Sequence, residues 1–274
     1  MTHHPFDAAL QLEPAGEHRW RGEPSAGYWN MVGPFGGTTA AVVLRAIQSH
    51  PQCLGTPLSL TVNFAGPLGA APFEIEAVPV RTNRSTQHWS VTLTQPDADG
   101  APQVATTATA VTAVRRDTWG ACDMPMPAGV PAPGTVAPIT AFSGVEWVRR
   151  YDMRPLVGAV PQAWDGQGDD SLSRLWVRDA EPRPLDFCSL AAIADVFYPR
   201  VWLRRATRVP AGTVSITVYF HTDQAELAAT GTGHLLAQAR AQAFSQGFFD
   251  QTAQLWNQAG CLLATTHQIV YFKQ

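Results

Sequence analysis

Residues Leu58–Phe64 read L-S-L-T-V-N-F, and Val214–Phe220 read V-S-I-T-V-Y-F. Each alternates apolar with polar side chains, the mark of a strand with one buried face. Their likeness makes the chain read as one unit written twice. Two further pairs extend the match. Val104–Val111 (V-A-T-T-A-T-A-V) echoes Leu263–Val270 (L-A-T-T-H-Q-I-V), and Phe35 in P-F-G-G-T-T-A-A-V-V-L matches Phe187 in D-F-C-S-L-A-A-I-A-D-V. The spacing agrees as well: Phe35 precedes Phe64 by 29 residues, and Phe187 precedes Phe220 by 33. A unit of this length implies duplication of a whole domain rather than a solenoid of roughly 20–50-residue repeats.

Working outward, Gly36-Gly37 leads into Thr38–Gln48, where Ala40, Val43, Leu44 and Ile47 recur at helical spacing, and Pro51 ends the helix. Strand-like runs follow at Leu58–Phe64, Phe73–Arg81, Thr86–Gln95 and Gln103–Arg115, with short strand-like pieces upstream at His18–Trp20 and Tyr28–Met31. Pro125, Pro127, Pro131, Pro133 and Pro138 stiffen an extended linker. The second copy starts near Phe142. Its expected elements are opening strands at Val145–Arg150 and Leu172–Arg178, a helix over Asp186–Tyr198, and strands at Thr213–His221, His234–Phe244, Phe249–Trp256 and Leu262–Phe272. Leu236–Ala243 (L-A-Q-A-R-A-Q-A) favours helix by residue type, but its strict alternation predicts a strand with Gln238, Arg240 and Gln242 on one face. One helix followed by antiparallel strands, twice, is an α+β pattern. The expected division is a first domain over 1–118, a linker over 119–141 and a second domain over 142–274.

Composition narrows the function. With 274 residues, 45% hydrophobic and 15% charged, and a net charge of −3, the chain reads as globular and soluble. No basic stripe with interleaved aromatics suggests nucleic acid as a partner, and no run of 18 apolar residues suggests a membrane span. The N-terminus lacks a basic segment followed by an apolar one, so a cytoplasmic location is expected. Cys53, Cys122, Cys188 and Cys261 are scattered and read as free thiols rather than a zinc site or disulfide framework. The histidines show no metal-ligand spacing, and no metal or cofactor is expected. The low charge leaves broad neutral surfaces, which favours a homo-oligomer.

Set side by side without gaps inside each block, the copies place Asp195 opposite Val43, Thr213 opposite Pro57 and Gln268 opposite Thr109. A carboxylate, a hydroxyl and a carboxamide kept by one copy alone can together bind and orient a water molecule. Each residue by itself reads equally as a solvated helix residue, a strand opener and a satisfied strand amide. On the predicted helix, Asp195 falls opposite the stripe of Leu190, Ile193, Ala194 and Phe197, beside Cys188, Ala191 and Ala192. Because that side is also small and apolar, the helix is expected to be buried on both faces, with the Asp195 pKa raised.

At these residues the chain resembles the TesB-like acyl-CoA thioesterases. Three stretches carry the resemblance: G-P-F-G-G (Gly33–Gly37), T-V-S-I-T-V-Y-F-H (Thr213–His221) and L-A-T-T-H-Q (Leu263–Gln268). It implies a double hotdog fold, in which each of two tandem hotdog domains wraps an antiparallel sheet around a central helix. It also implies hydrolysis of an acyl-CoA thioester, with Asp195, Thr213 and Gln268 as the catalytic set. Thr213 lies eight residues before His221, the spacing the family uses. Two departures are Ser215-Ile216 where the family has Asp-His, and a helix that reads A-D-V-F-Y-P where the family's is more polar.

The reaction so implied needs donors at the thioester oxygen, and the N–H groups of Gly36 and Gly37 at a helix start are candidates. A tight entry turn is the structural alternative for that pair. CoA phosphates need cations, for which Arg81, Arg84 and Arg240 are candidates. Two rival readings are a non-catalytic acyl-CoA or acyl-carrier binding protein, and a hotdog enzyme acting on a polyketide or aromatic acyl thioester. The absence of G-x-S-x-G argues against a serine α/β-hydrolase, and the absence of D-x-N-P-x-H against a hotdog hydratase. His267, adjoining Gln268 in a strand, is expected on the opposite face.

Overall fold

The computed structural model describes residues 4–139 and 145–273. His3 and the expected start of the second copy near Phe142 lie outside the described residues.

Both copies of the opening stretch are strands, and they pair with each other. In chain order the strands are β1 (Glu13–Pro14), β2 (Arg19–Gly22), β3 (Thr56–Phe64), β4 (Phe73–Thr82), β5 (Thr86–Pro96), β6 (Pro102–Ala113), β7 (Tyr151–Val157), β8 (Ser173–Asp179), β9 (Ala211–Phe220), β10 (Leu235–Arg240), β11 (Phe244–Ser245), β12 (Phe248–Trp256) and β13 (Leu262–Phe272). They form one sheet in the order β1-β2-β4-β5-β6-β3-β9-β13-β12-β10-β8-β7, with β11 beside β12. The first copy occupies one half of this order and the second copy the other, joined where β3 meets β9.

That seam is self-matched. Thr61 pairs with Thr217, its own counterpart in the duplication, while Ser59 pairs with Tyr219 and Asn63 with Ser215. The register is therefore symmetric about Thr61 and Thr217, whose hydroxyl oxygens lie 3.0 Å apart. A local twofold relation thus runs between the copies. Even irregularities repeat. β3 skips Leu58 in its pairing with β6, and β9 skips Val214 in its pairing with β13. Leu58 and Val214 are both 38% exposed, each pushed outward by its bulge.

The helices are α1 (Pro5–Ala9), α2 (Gly36–Gln48), α3 (Phe187–Ile193), α4 (Arg200–Arg205) and α5 (Gln224–Thr230). The helices α2 and α3, one from each copy, pack against each other inside the curved sheet. Every residue of α3 is buried, so its two apolar faces are used, one against the sheet and one against α2. The second face joins through Cys188, whose Sγ donates to Gln48 Oε1 at 3.0 Å. One core runs through both halves, from Ile75 and Trp89 to Leu235 and Leu255. The fold is the expected double hotdog, α+β.

Several local expectations change. The helix predicted over Asp186–Tyr198 stops at Ile193, and Asp195 sits in the turn that follows. There the Asp195 N–H donates to the Ala192 carbonyl at 3.2 Å, a contact one residue tighter than the helical one. Pro199 then keeps the chain extended. Val145–Arg150, predicted as a strand, is a 3₁₀ turn over Glu146–Arg150, and the strand β7 begins only at Tyr151. Likewise Ala26–Tyr28 is a 3₁₀ turn. The alternating segment at Leu236 does form a strand, β10, because its small residues pack inward.

The proline-rich stretch is bound rather than free. Met126, Val130 and Val136 pack on Trp176, Leu236 and Trp256 on the outer side of the second copy's sheet. The two indoles donate to carbonyls of the strap, Trp176 Nε1 to Pro131 at 2.8 Å and Trp256 Nε1 to Met124 at 3.0 Å. The strap thus covers three large apolar side chains that the strand alternation turns away from the core.

Candidate active site

A cavity of about 900 Å³ opens beside the start of α2, and both copies wall it. The first copy contributes the loop before α2 with the helix's first residue (Asn30–Gly36), and the end of β3 with the loop that follows (Phe64–Leu68). The second contributes the turn after α3, the start of α4 and the strands β9, β12 and β13. Asp195, Thr213 and Gln268 all line it.

Gln268 Nε2 donates to Asp195 Oδ1 at 2.8 Å. Gln268 is buried, on the inward face of β13, while Asp195 is partly buried and the surface it retains faces the cavity. Burial raises the Asp195 pKa from 3.8 to about 7; the hydrogen bonds from Gln268 and from the Gly37 N–H pull against that rise. The Gly37 donor belongs to the first turn of α2, where N–H groups lack helical partners and the helix dipole favours negative charge. A first-copy helix therefore holds the second copy's carboxylate.

The two glycines are required by this approach. A Cβ on Gly36 would lie 2.8 Å from Asp195 Oδ2, and one on Gly37 would collide with the Ala192 carbonyl oxygen and the Phe35 ring. Gly36 lines the cavity. Gly37 does not, and its N–H acts on the Asp195 carboxylate.

Thr213 reaches the same wall because of the bulge in β9. Gln268 is paired with Ile216, and the next inward residue of β13, Val270, is paired with Thr213 rather than Val214. Without the extra residue Val214 would face inward and Thr213 outward.

The strand register also corrects the comparison of the copies. Thr61 pairs with Thr109, and Thr217 with His267, so Thr109 corresponds to His267. Gln268 takes the place of Ala110, not Thr109. Thr109 is exposed and Ala110 buried, which agrees. A slip of one residue in a strand exchanges its faces. His267 lies on the outer face as expected, 3.4 Å from Asp250 Oδ2.

The three arginines expected to meet phosphates are not among the cavity residues. Arg81 bonds Asn83 at 3.1 Å at the exposed end of β4, Arg84 lies exposed in the β4–β5 turn, and Arg240 pairs with Asp170 at 3.2 Å beside a separate cleft. A buried polar wall residue not expected from the sequence is Gln251. It lies on β12 opposite Gln268 and faces the cavity. Its signal was present: it is the lone polar residue in the inward series Phe249, Gln251, Ala253, Leu255.

Comparison with known proteins gives the family and supports the fold. Residues 25–113 match the model of the acyl-CoA thioesterase N-terminal domain, and residues 121–272 match that of the acyl-CoA thioesterase C-terminal domain. The chain belongs to the TesB-like acyl-CoA thioesterase family. Among solved structures it is similar to a conserved protein of unknown function with a hotdog fold from Alicyclobacillus acidocaldarius, at 48% identity over 100% of this chain and 99% of that one, with a TM-score of 0.92. It shares its fold with a candidate thioesterase II from Thermobifida fusca (22% identity, 98% and 97% covered, TM-score 0.80). It does so too with an acyl-CoA thioesterase II from Mycobacterium marinum (18% identity, 98% of each chain covered, TM-score 0.76). No curated protein matches the chain. No helix among the described residues is long and apolar enough to cross a membrane.

Proposed function

We propose that the protein hydrolyses an acyl-CoA thioester to the free carboxylic acid and CoA, with Asp195 as general base. Asp195 and Gln268 in contact at the wall of a large cavity carry this reading. A water held between Asp195 Oδ2 and the Thr213 hydroxyl attacks the thioester carbonyl carbon, and its proton passes to Asp195. The carbonyl oxygen becomes an oxyanion, for which the Gly36 N–H is the available donor at the α2 start. Collapse of the tetrahedral intermediate breaks the C–S bond, and Asp195 returns the proton to the leaving sulfur. Gln268 fixes the carboxylate's orientation throughout. A pKa near 7 suits a group that must both accept and return a proton near neutral pH.

The acyl group is a separate question. Phe35, Phe64, Trp147, Phe197, Tyr198 and Phe249 supply much of the wall, and Phe35 stacks on Trp147 with ring centres 4.2 Å apart. Flat aromatic walls favour an aromatic or cyclic acyl group over a flexible chain.

The test is thiol release measured across short, medium, long and aryl acyl-CoAs, with the parent and Asp195→Asn. Turnover by the parent, reduced at least a hundredfold in the variant, supports the assignment. Binding without turnover by the parent instead identifies a carrier protein, and turnover by the variant within a few-fold of the parent rejects Asp195.

A further inference from the structure

The cavity has one positive charge. Among its lining residues Arg208 is the sole Arg, Lys or His, and Asp195 the sole carboxylate. Arg208 is exposed, and its guanidinium carbon lies 6.0 Å from the centre of the Trp202 ring. It forms no ion pair among the described residues. The other arginines near this end are engaged: Arg204 donates to the Gly168 carbonyl at 3.1 Å, and Arg240 pairs with Asp170.

Trp202 is a fixed platform. It lies on α4, is partly buried, and its Nε1 donates to the Val209 carbonyl at 2.7 Å. That bond spans the turn leading to Arg208, so indole and guanidinium are tied together. A second indole, Trp164, comes from the irregular 158–172 connection between β7 and β8. Its ring centre is 5.8 Å from that of Trp202, nearly perpendicular at 89°, and 41% of its surface is exposed. A cation with no protein counter-ion beside two indoles at the mouth of a cavity is suited to a phosphate next to an apolar or planar group.

From this the geometry points to Arg208, with Trp202 and Trp164, as the recognition point for the phosphate of a phosphopantetheine arm. The proposal rests on the thioesterase reading of the cavity and extends it. The acyl end lies toward Asp195, and the phosphate end stays at the exposed Arg208. The same phosphate occurs in CoA and in the prosthetic arm of an acyl carrier protein. In CoA it continues through a second phosphate and a phosphorylated ribose to an adenine, for which the exposed Trp164 offers a stacking face.

Binding is measured by calorimetry on the full chain with pantetheine, 4′-phosphopantetheine and CoA, so the readout does not depend on hydrolysis. The parent is expected to bind 4′-phosphopantetheine at least tenfold more tightly than pantetheine, and Arg208→Ala to abolish that preference while leaving pantetheine affinity unchanged. Arg208→Lys recovers part of it. A further gain for CoA over 4′-phosphopantetheine, lost in Trp164→Ala, assigns CoA as the source; equal affinity assigns the carrier protein. No phosphate preference in the parent, or one that survives Arg208→Ala, overturns the proposal. In parallel, Arg208→Ala should raise KM for an acyl-CoA at least tenfold without changing kinetics on the matching acyl-N-acetylcysteamine thioester, which lacks the phosphate. Failure of Arg208 with turnover intact is thereby distinct from failure of the hydrolase reading.

Discussion

Thr61 and Thr217 are each other's image in the duplication, and their hydroxyl oxygens meet 3.0 Å apart where the two copies join. The contact is part-buried, so one hydroxyl left alone there costs more than none. Thr61→Val or Thr217→Val alone is expected to lower unfolding stability by about 1 kcal/mol. The double replacement should be nearly neutral, with a coupling of about 2 kcal/mol in a urea-denaturation double-mutant cycle. Strictly additive losses would show that the hydroxyl pair does not bind the seam.

The proposed role of Asp195 predicts a link between activity and pH. A general base works only when ionised, so log kcat/KM is expected to rise with unit slope and level off above its pKa, with an apparent midpoint of about 7. The hydrogen bond from Gln268 lowers that pKa. Gln268→Leu should therefore move the midpoint upward and recover part of its lost rate at alkaline pH. A pH–rate profile of the variant with the parent's midpoint would separate Gln268 from the base.

The same carboxylate sets a stability trend. Folding raises its pKa from 3.8 to about 7, so between those values the folded chain holds a proton that the unfolded chain has released. Stability contributed by this group is complete below about pH 4 and declines as pH rises through about 7. Asp195→Asn removes the decline. Relative to the parent, the variant's Tm should be a few degrees higher at pH 8 and the gain should vanish at about pH 4, as read by calorimetry.

Gly36 and Gly37 should respond differently to alanine. At Gly37 the new methyl meets the Ala192 backbone, which cannot yield without moving α2 from α3. A loss of about 1–3 kcal/mol is expected on chemical denaturation. At Gly36 the methyl meets the end of the Asp195 side chain and the Phe64 ring. Gly36→Ala should spare most stability yet lower kcat at least tenfold, because it displaces the carboxylate. Equal stability losses in the two variants would refute this distinction.

The strands β3 to β6 were legible in the sequence because period-2 alternation reports which face is buried, while Asp195, Thr213 and Gln268 stood out because only one copy of the duplication carries them and the family resemblance names them. The expected strand Leu262–Phe272 coincides with β13. Where packing decided instead, the reading failed. Nothing local marks Ile193 as the last residue of α3, since Ala194 and Asp195 prolong the helical pattern. The helices α1, α4 and α5, of five to seven residues, are too short to show a period. Gln268 was found but matched to the wrong partner, because aligning Ala105-Thr106-Thr107 with Ala264-Thr265-Thr266 on residue identity sets the two strands one residue out of the register the pairing shows. Arg208 was passed over since only the folded chain brings it beside Trp202.

The first copy has Ala110 where the second has Gln268, yet it still holds the other end of the machinery: Gly37 restrains Asp195 from a position more than 150 residues earlier in the chain. The second copy alone would keep the Gln268 contact to Asp195 but lack the helix start that meets the same carboxylate from the other side. Each copy is thus part of the other's scaffold, and the half without the carboxylate is the half that the carboxylate cannot do without.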